Sequence, residues 1–499
     1  MARIAVIGAG MGAMAAAARL ATAGHRVTVY ERGGTYGGSV GRRTRDGFAF
    51  DTGPGLLHLP AVWRDVFVKT GKEPLERSVT LTQVDPASRH LFADGTSVLL
   101  PNASRAGVVS ALDAALGAGA GERWGEFLGR ARQTWERVRR PLLEEPLPAD
   151  PAALASQDPY PAVRRGLLRR RAATLAEVGG RELRDPRLAA LLDAYAASYG
   201  LDPHTAPAAA AVLPYMEQTF GSWYVAGGMR ALAEALYERC LARRVEFAFG
   251  TGVVATDVAG GRACGLVLAD GTAVPADAVV SGAPLPALSR DGALPGREAG
   301  GWPRCQSQVR TGRVTVLLAL RGERSPNAVH RTVVHGADGP GEWRALAAGR
   351  LPERPTVTVL RPDDPLVRPD GAHEALTLTA TVPAEPASGA WTADTGGEFA
   401  DRMVEAARAA VPDLPDRVLF REVRTPEDTR ADTGSAVVPP PALPGVSGTL
   451  LPAANAGPVE GLYAVGGWAH PGGGLAHAGM SGALVAGLVV EGAGFRGSR

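Results

Sequence analysis

The chain has 499 residues, 45% of them apolar and 21% charged, which is material for a large core in roughly three units of about 150 residues. With 53 basic residues against 51 acidic ones, it carries no excess charge of the kind that grips nucleic acid. Three scattered cysteines (Cys240, Cys264, Cys305) exclude a disulfide framework, and no His/Cys spacing suggests a metal site. The chain opens directly on a strand-like run, so no secretory leader is expected. No apolar stretch of about 18 residues is present to span a membrane. The expectation is a cytoplasmic protein, with peripheral membrane attachment left open.

Arg3-Ile4-Ala5-Val6-Ile7 reads as a buried strand and Gly8-Ala9-Gly10-Met11-Gly12-Ala13 as a glycine turn. An alanine-rich helix follows to Ala23, then a second strand, Arg26 to Tyr30, ends at Glu31. Gly8 permits the tight turn, Gly10 lets a pyrophosphate approach the helix N-terminus, and the small Ala13 allows close helix–strand packing. Glu31, 23 positions after Gly8, stands where a carboxylate bonds an adenosine ribose and repels a 2′-phosphate. FAD or NAD therefore fits better than NADP.

Gly37-Gly38 and then Phe50-Asp51-Thr52-Gly53-Pro54-Gly55 follow where a longer cofactor would continue. This arrangement resembles the amine-oxidase-like flavoproteins, and within them the phytoene (carotenoid) desaturase family. The resemblance implies an α/β fold: a Rossmann-type FAD-binding domain with a parallel sheet, joined to a discontinuous substrate domain of mixed sheet and helices. It implies noncovalent FAD held by Gly8, Gly10, Gly12, Ala13, Glu31, Arg32, Gly37, Gly38, Ser39, Gly53, Pro54 and Gly55. Ser39 stands where the family has an arginine, so a cationic contact near the flavin is lost or comes from Arg42 or Arg43.

Thr80 to Pro101 alternates like strands around a turn at Phe92–Thr96, and residues 107–145 have helical spacing. Arg164, Arg165, Arg169, Arg170 and Arg171 have spacings that would cover one helical surface. That surface is either solvated or docks on lipid headgroups or an acidic acyl carrier protein. From Asp185 to Leu236 the chain again resembles carotenoid desaturases, in particular the branch acting on hydroxylated carotenoids. Tyr195, Tyr199, Tyr215, Phe220 and Trp223 are candidate pocket walls or plain core, and Glu217 is a candidate proton acceptor or a solvated carboxylate. Strands are expected at Val245–Phe249, Gly265–Ala269 and Asp277–Ser281, and by resemblance Val253 meets the adenine. Further strands at Thr311–Leu320, Thr356–Leu360 and Ala375–Val382 belong to the second domain, with His330, His335 and Trp343 in its loops.

Near the C-terminus a strand, Gly461 to Val465, runs into Gly466-Gly467-Trp468-Ala469-His470-Pro471-Gly472-Gly473-Gly474, followed by a small-residue helix. By resemblance, Gly466, Gly467, Gly474 and Leu475 touch the flavin, and Trp468 adds to the substrate pocket. His470 is either a general base beside the flavin or a residue that caps the glycine turn.

The resemblance implies an FAD-dependent oxidoreductase that desaturates an apolar polyene such as a carotenoid by hydride transfer to flavin N5. A tailoring enzyme that desaturates or isomerises a polyketide or polyene chain, carrier-bound in one version, is the second reading. A flavin-binding scaffold without turnover is the third. Amine oxidation fits less well, because the chain has no lysine after Lys72 to place behind the flavin and no cysteine in the C-terminal motif to bond it. The FAD domain is expected in 1–75, 224–290 and 440–499, and the substrate domain, with a long apolar tunnel, in 76–223 and 291–439.

Overall fold

The computed structural model describes residues 1–148, 154, 158–165, 168–283, 310–445, 450–457 and 459–497, with the side chains of 164–170 and 493 outside the description. Five parallel strands form one sheet, in the spatial order Glu246–Ala248, Arg26–Tyr30, Arg3–Ile7, Ala278–Ser281, Leu462–Ala464. The first strand of the chain is thus central, and the strand order reverses beside it. In open α/β sheets a ligand crevice forms at that reversal, outside the carboxyl ends of the strands.

Helix Met11–Thr22 packs on this sheet with Ala15 to Ala18 fully buried, because it is covered on its other side by helix Leu475–Glu491. Small residues are what allow the two backbones to meet. A Cβ added to Gly12 would lie 2.9 Å from both Gly466 Cα and the Ala478 carbonyl oxygen. One added to Gly482 would lie 2.8 Å from Ala15 Cβ and the Gly12 oxygen. The two ends of the chain are therefore locked together at the crevice.

A second, seven-stranded sheet runs Val418–Arg424, Thr311–Arg321, His373–Pro383, Val357–Leu360, Arg331–Val334, Ser88–Leu91, Ser97–Leu100. All its pairings are antiparallel except Arg331–Val334 with Ser88–Leu91. Helix Ala393–Ala407 covers one face through Phe399, Ala400 and Met403, which join the buried valines and leucines of the strands. Helices Arg105–Leu116, Ala120–Arg139, Pro186–Ser198 and Val212–Phe220 form a third layer around Trp124 and Phe127. Strand Ser222–Val225 joins these parts, pairing with Leu57–His58 and Leu81–Gln83. Among the described residues no helix is long and apolar enough to cross a membrane.

The α/β plan with a parallel cofactor sheet and a mixed second sheet matches the sequence expectation, and so does the hairpin at Phe92–Thr96, closed by Phe92 N–H to the Thr96 carbonyl at 2.9 Å. Three details differ. The arginine-rich segment is not a helix: Val163–Arg165 and Leu168–Arg170 pair as a short antiparallel hairpin, whose alternation defeats the shared helical face. The side chains of Arg164, Arg165, Arg169 and Arg170 lie outside the described residues, and Arg171 is exposed. Trp343 sits on helix Gly339–Ala347, and an unexpected strand, Arg331–Val334, lies between His330 and His335, which are themselves in loops as expected.

Gly482→Val forces side-chain atoms against the Gly12 backbone and should lower stability by about 1–3 kcal/mol. Denaturant unfolding measures this, and an unchanged midpoint would contradict the close helix contact.

Candidate active site

The first glycine turn is held by backbone bonds: Gly8 N–H donates to the Tyr30 carbonyl and Gly37 N–H to the Ala9 carbonyl, both at 2.8 Å. Gly8 has φ +85° and Gly38 φ +58°, conformations that favour glycine. The Glu31 carboxylate accepts from Ala9 N–H at 2.8 Å and Gly33 N–H at 2.7 Å, which fixes it beside the turn. Thr251 N–H donates to the Glu31 carbonyl, bringing Val253 to the same edge. Buried Ala13 faces Gly282, where an added Cβ would come within 3.1 Å of it. Gly53 lies so close to the Ser39 carbonyl that a Cβ there would be 2.0 Å from its oxygen, while Gly55 backs onto Leu360. Pro54 between them is half-buried.

At the other end of the chain, Gly466 N–H donates to Ser481 Oγ at 3.0 Å. Asn455 Nδ2 reaches the Ala464 carbonyl, the His470 carbonyl and Ser481 Oγ at 3.1, 2.7 and 3.2 Å. Segment 439–442 passes behind the loop, closing off Cβ positions at Gly467, Gly472 and Gly473. Gly474 begins helix Leu475–Glu491, and half-buried Trp468 lies on the loop before it. Asn455 and Ser481 carried no local signal, since their partners lie 9 to 26 residues away.

The residues fit a dinucleotide. Gly12, Gly53 and Gly473 are crowded by protein backbone, but a Cβ at Gly10 would meet nothing within 4 Å, and its φ of −72° suits any residue. Nothing in the protein itself requires glycine there. Helices Met11–Thr22 and Leu475–Glu491 both begin without a side-chain cap and without an acid in the first turn. Their N-termini are suited to a diphosphate. By contrast, helix Met229–Ala242 is capped by Asp51, which accepts from Met229 N–H at 2.7 Å and Arg230 N–H at 3.2 Å.

Other expected contacts fall elsewhere. Arg32 is exposed and donates to the Ala431 carbonyl at 2.6 Å, at the end of helix Pro426–Thr433, so it is not turned to the cofactor. Arg43 pairs with Glu422 at 3.5 Å on the outside. Arg42 donates to the Gly227 carbonyl and borders a cavity of about 40 Å³ with Gly53 and Gly55, while the Arg230 guanidinium bonds the Val40 carbonyl at 3.3 Å, next to Ser39.

His470 does not face the crevice. It is fully buried, and its Nε2 donates to the Glu145 carbonyl at 2.9 Å. A carbonyl only accepts, so Nε2 holds the proton. Nδ1 is buried without a partner. His470 ties the C-terminal loop to the helical layer and is no general base. Glu217 is likewise not a solvated carboxylate. It is buried and paired with Arg331, with His58 Nε2 at 3.5 Å. Burial pushes its carboxyl up, but Arg331 and His58 outweigh that and leave it below its ordinary value, a poor proton acceptor.

Trp135, Val138, Leu142, Leu143, Val212, Leu213, Met216 and Ala442 wall a narrow cavity of about 20 Å³, with Arg139 and His477 as its polar members. Among the described residues this cavity is far smaller than the long tunnel expected for a carbon chain, because the facing side chains fill the space between the helices. Tyr215 and Phe220 pack on Trp135 with ring centres 6.4 and 6.0 Å away. Tyr199 reaches the Gly474 turn. Tyr195 is buried, accepting from Gln218 Nε2 at 2.9 Å, so it is core. Trp223 also leaves the pocket: it packs in the sheet core under Arg64. His477, three residues beyond Gly474, escaped the sequence reading because nothing local marks it.

A parallel sheet with glycine turns at its switch point and uncapped helix N-termini marks a dinucleotide-binding protein. The chain belongs to the flavin containing amine oxidoreductase family, whose model matches residues 14–490, and it is an FAD-dependent oxidoreductase. It is 29% identical over 507 residues to the 4,4'-diapolycopene oxygenase of Methylomonas sp, covering 98% of each chain. It is 30% identical over 430 residues to the zeta-carotene-forming phytoene desaturase of Myxococcus xanthus, covering 85% of this chain and 81% of the relative. The fold is that of an oxidoreductase from Methanosarcina mazei, with a TM-score of 0.60 and 15% identity over 97% of this chain and 99% of the other.

Gly10→Val should abolish FAD retention, read from the flavin absorbance of purified protein, while changing folding stability by no more than about 1 kcal/mol. Stability should also depend on pH. Burial pushes His330, His335, His470 and His477 down to about 4, while an unfolded histidine titrates at about 6.5. Below that value the unfolded chain binds more protons, so these groups lose stability as pH falls from 6.5 through 4. Asp51 and Asp193, raised chiefly by burial to about 6 and about 7, act in the opposite direction but are fewer. The thermal midpoint should be lower at pH 5 than at pH 7.5, and the reverse order would contradict this account.

Proposed function

We propose that this flavoenzyme desaturates an apolar polyene of the carotenoid class, removing two hydrogens from adjacent carbons. The observation that carries the reading is the apolar lining between helices Ala120–Arg139 and Val212–Phe220, which includes His477 close to the Gly474 turn and must open beyond its present volume of about 20 Å³ to take a carbon chain. The named activities of the relatives above, both on long polyenes, support it.

The FAD domain comprises 1–75, 224–290 and 440–499, and the substrate domain 76–223 and 291–439. Gly8, Gly10, Gly12 and Ala13 lie along the diphosphate, Glu31 bonds the ribose, and Val253 borders the adenine. Gly37, Gly38, Ser39, Gly53, Pro54 and Gly55 line one side of the flavin half. Gly466, Gly467, Gly474 and Leu475 line the other, without a covalent bond. When bound, FAD supplies the hydride acceptor. The protein's part is to hold the carbon chain against it and exclude water, which the leucine, valine and tryptophan walls do. His477 is the ionisable wall group beside the Gly474 turn, but burial pushes it down to about 4, which makes it a weak proton acceptor.

Incubation of the FAD-loaded protein with a panel of carotenoids should give a product lighter by two hydrogens in mass spectrometry. Unchanged mass across the panel would overturn desaturation. Met216→Trp should fill the cavity and cut turnover by at least about ten-fold while leaving FAD content unchanged. Undiminished turnover would show that the chain enters elsewhere.

A further inference from the structure

From Glu31 to Gly41 the chain forms neither strand nor helix, yet this loop is seated on the first glycine turn. Gly37 N–H donates to the Ala9 carbonyl at 2.8 Å, and a Cβ added to Gly38 would lie 3.1 Å from Gly10 Cα. Ser39 turns its carbonyl to Gly53, so the Asp51–Gly55 turn leans on the loop in its turn. Contacts between glycines give close approach but no side chain to hold it.

Arg230, the second residue of helix Met229–Ala242, supplies the hold. Its guanidinium donates to the carbonyls of Tyr36 and Val40, the second at 3.3 Å, and to Thr35 Oγ1 at 2.6 Å. The bonds fall on both sides of Gly37-Gly38-Ser39. The guanidinium carbon lies 4.0 Å from the centre of the Tyr36 ring, which also stacks on Tyr237 at 4.2 Å. Donors fixed in one plane let a single arginine meet several acceptors at once.

The main chain of the same residue holds the other turn. Arg230 N–H and Met229 N–H donate to the Asp51 carboxylate at 3.2 and 2.7 Å, and Asp51 opens the Asp51–Gly55 turn. The start of the helix is itself tied to the substrate side. Asp364, between strands Val357–Leu360 and His373–Pro383, accepts from Gly227 N–H at 2.6 Å and from the Tyr224 hydroxyl at 2.8 Å. One helical turn therefore joins both glycine turns to the seven-stranded sheet.

We infer that Arg230 is a positioning residue for the flavin: it fixes the Thr35–Val40 loop against the Asp51–Gly55 turn before the cofactor binds. The inference rests on the placement of Gly37, Gly38, Ser39 and Gly53 along the flavin half proposed above. Arg230 acts through the loop and takes no part in bond breaking. Without it, ordering the loop becomes a cost of cofactor binding.

The test compares Arg230→Met with the unaltered protein, each FAD-free and FAD-loaded. FAD should bind at least about ten-fold more weakly to the variant. The rise in thermal midpoint that FAD confers should shrink. At saturating FAD the visible circular dichroism of the bound flavin should change. Arg230→Lys keeps a charge over Tyr36 but only as a single point, so it should recover part of the affinity. Thr35→Val, which removes one bond to the guanidinium, should weaken FAD binding several-fold even if Arg230→Met does not fold, and unchanged affinity there overturns the inference. A midpoint that falls equally with and without FAD, at unchanged affinity and dichroism, marks a packing contact alone and overturns it too. Ser39→Trp tests the loop itself, since Ser39 is exposed. If Ser39→Trp alters the flavin dichroism and Arg230→Met does not, the loop placement stands and the role of Arg230 falls. If neither alters it, the loop does not line the flavin and both fall. If Arg230→Met alone alters it, Arg230 does not act through this loop, and the inference is again overturned.

Discussion

The contact on which the rest of this structure depends is the approach of helix Met11–Thr22 to helix Leu475–Glu491 through Gly12, Gly466 and Gly482. It places the first and last glycine turns of a chain of 499 residues side by side. The central strand, Arg3–Ile7, and the edge strand, Leu462–Ala464, are held in one sheet by Ala278–Ser281 between them. A side chain at Gly12 or Gly482 would separate the two turns, and each alone makes only half a cradle. Backbone approach rather than side-chain chemistry is therefore what assembles the cofactor site.

Around that contact the protein separates two kinds of glycine by what crowds them. At Gly53 and Gly473 a Cβ would strike a carbonyl oxygen of the protein itself, so packing alone requires glycine there, whatever else the residues line. At Gly10 the space is open and the backbone ordinary, so no packing contact among the described residues asks for glycine there. The same separation applies to polar groups. His470 and Asn455 are spent on holding the C-terminal loop in place, whereas His477 borders a cavity.

The substrate side is built from a different balance. Its helical layer is held by buried aromatic and aliphatic side chains, Trp124 and Phe127 among them, and the cavity walls belong to the same cluster. A pocket made of core residues has no boundary that burial alone could mark. The Glu217–Arg331 pair crosses from the helical layer to the seven-stranded sheet, and its cost in desolvation is offset by the two-point hydrogen bonding of the fork. Removal of either partner would leave a buried charge, so the pair also fixes how helix Val212–Phe220 meets strand Arg331–Val334.

The sequence by itself determined what depends on near neighbours. The strand, glycine turn, helix and acid from Arg3 to Glu31 are local, with hydrophobic period and turn chemistry in agreement, and they appear in the structure where the residues imply. The Phe92–Thr96 hairpin was legible for the same reason. Tertiary structure alone decided which polar groups face the crevice. From its place in the glycine loop His470 could be a base or a cap of the turn, and only the Glu145 carbonyl, 325 residues away, shows that its proton is already committed. Arg331 and Glu217 are separated by 114 residues, and Arg313 and Ser198 by 115. No periodicity registers such pairs, because spacing along a chain reports the geometry of one helix or strand and carries nothing about which distant element will pack against it.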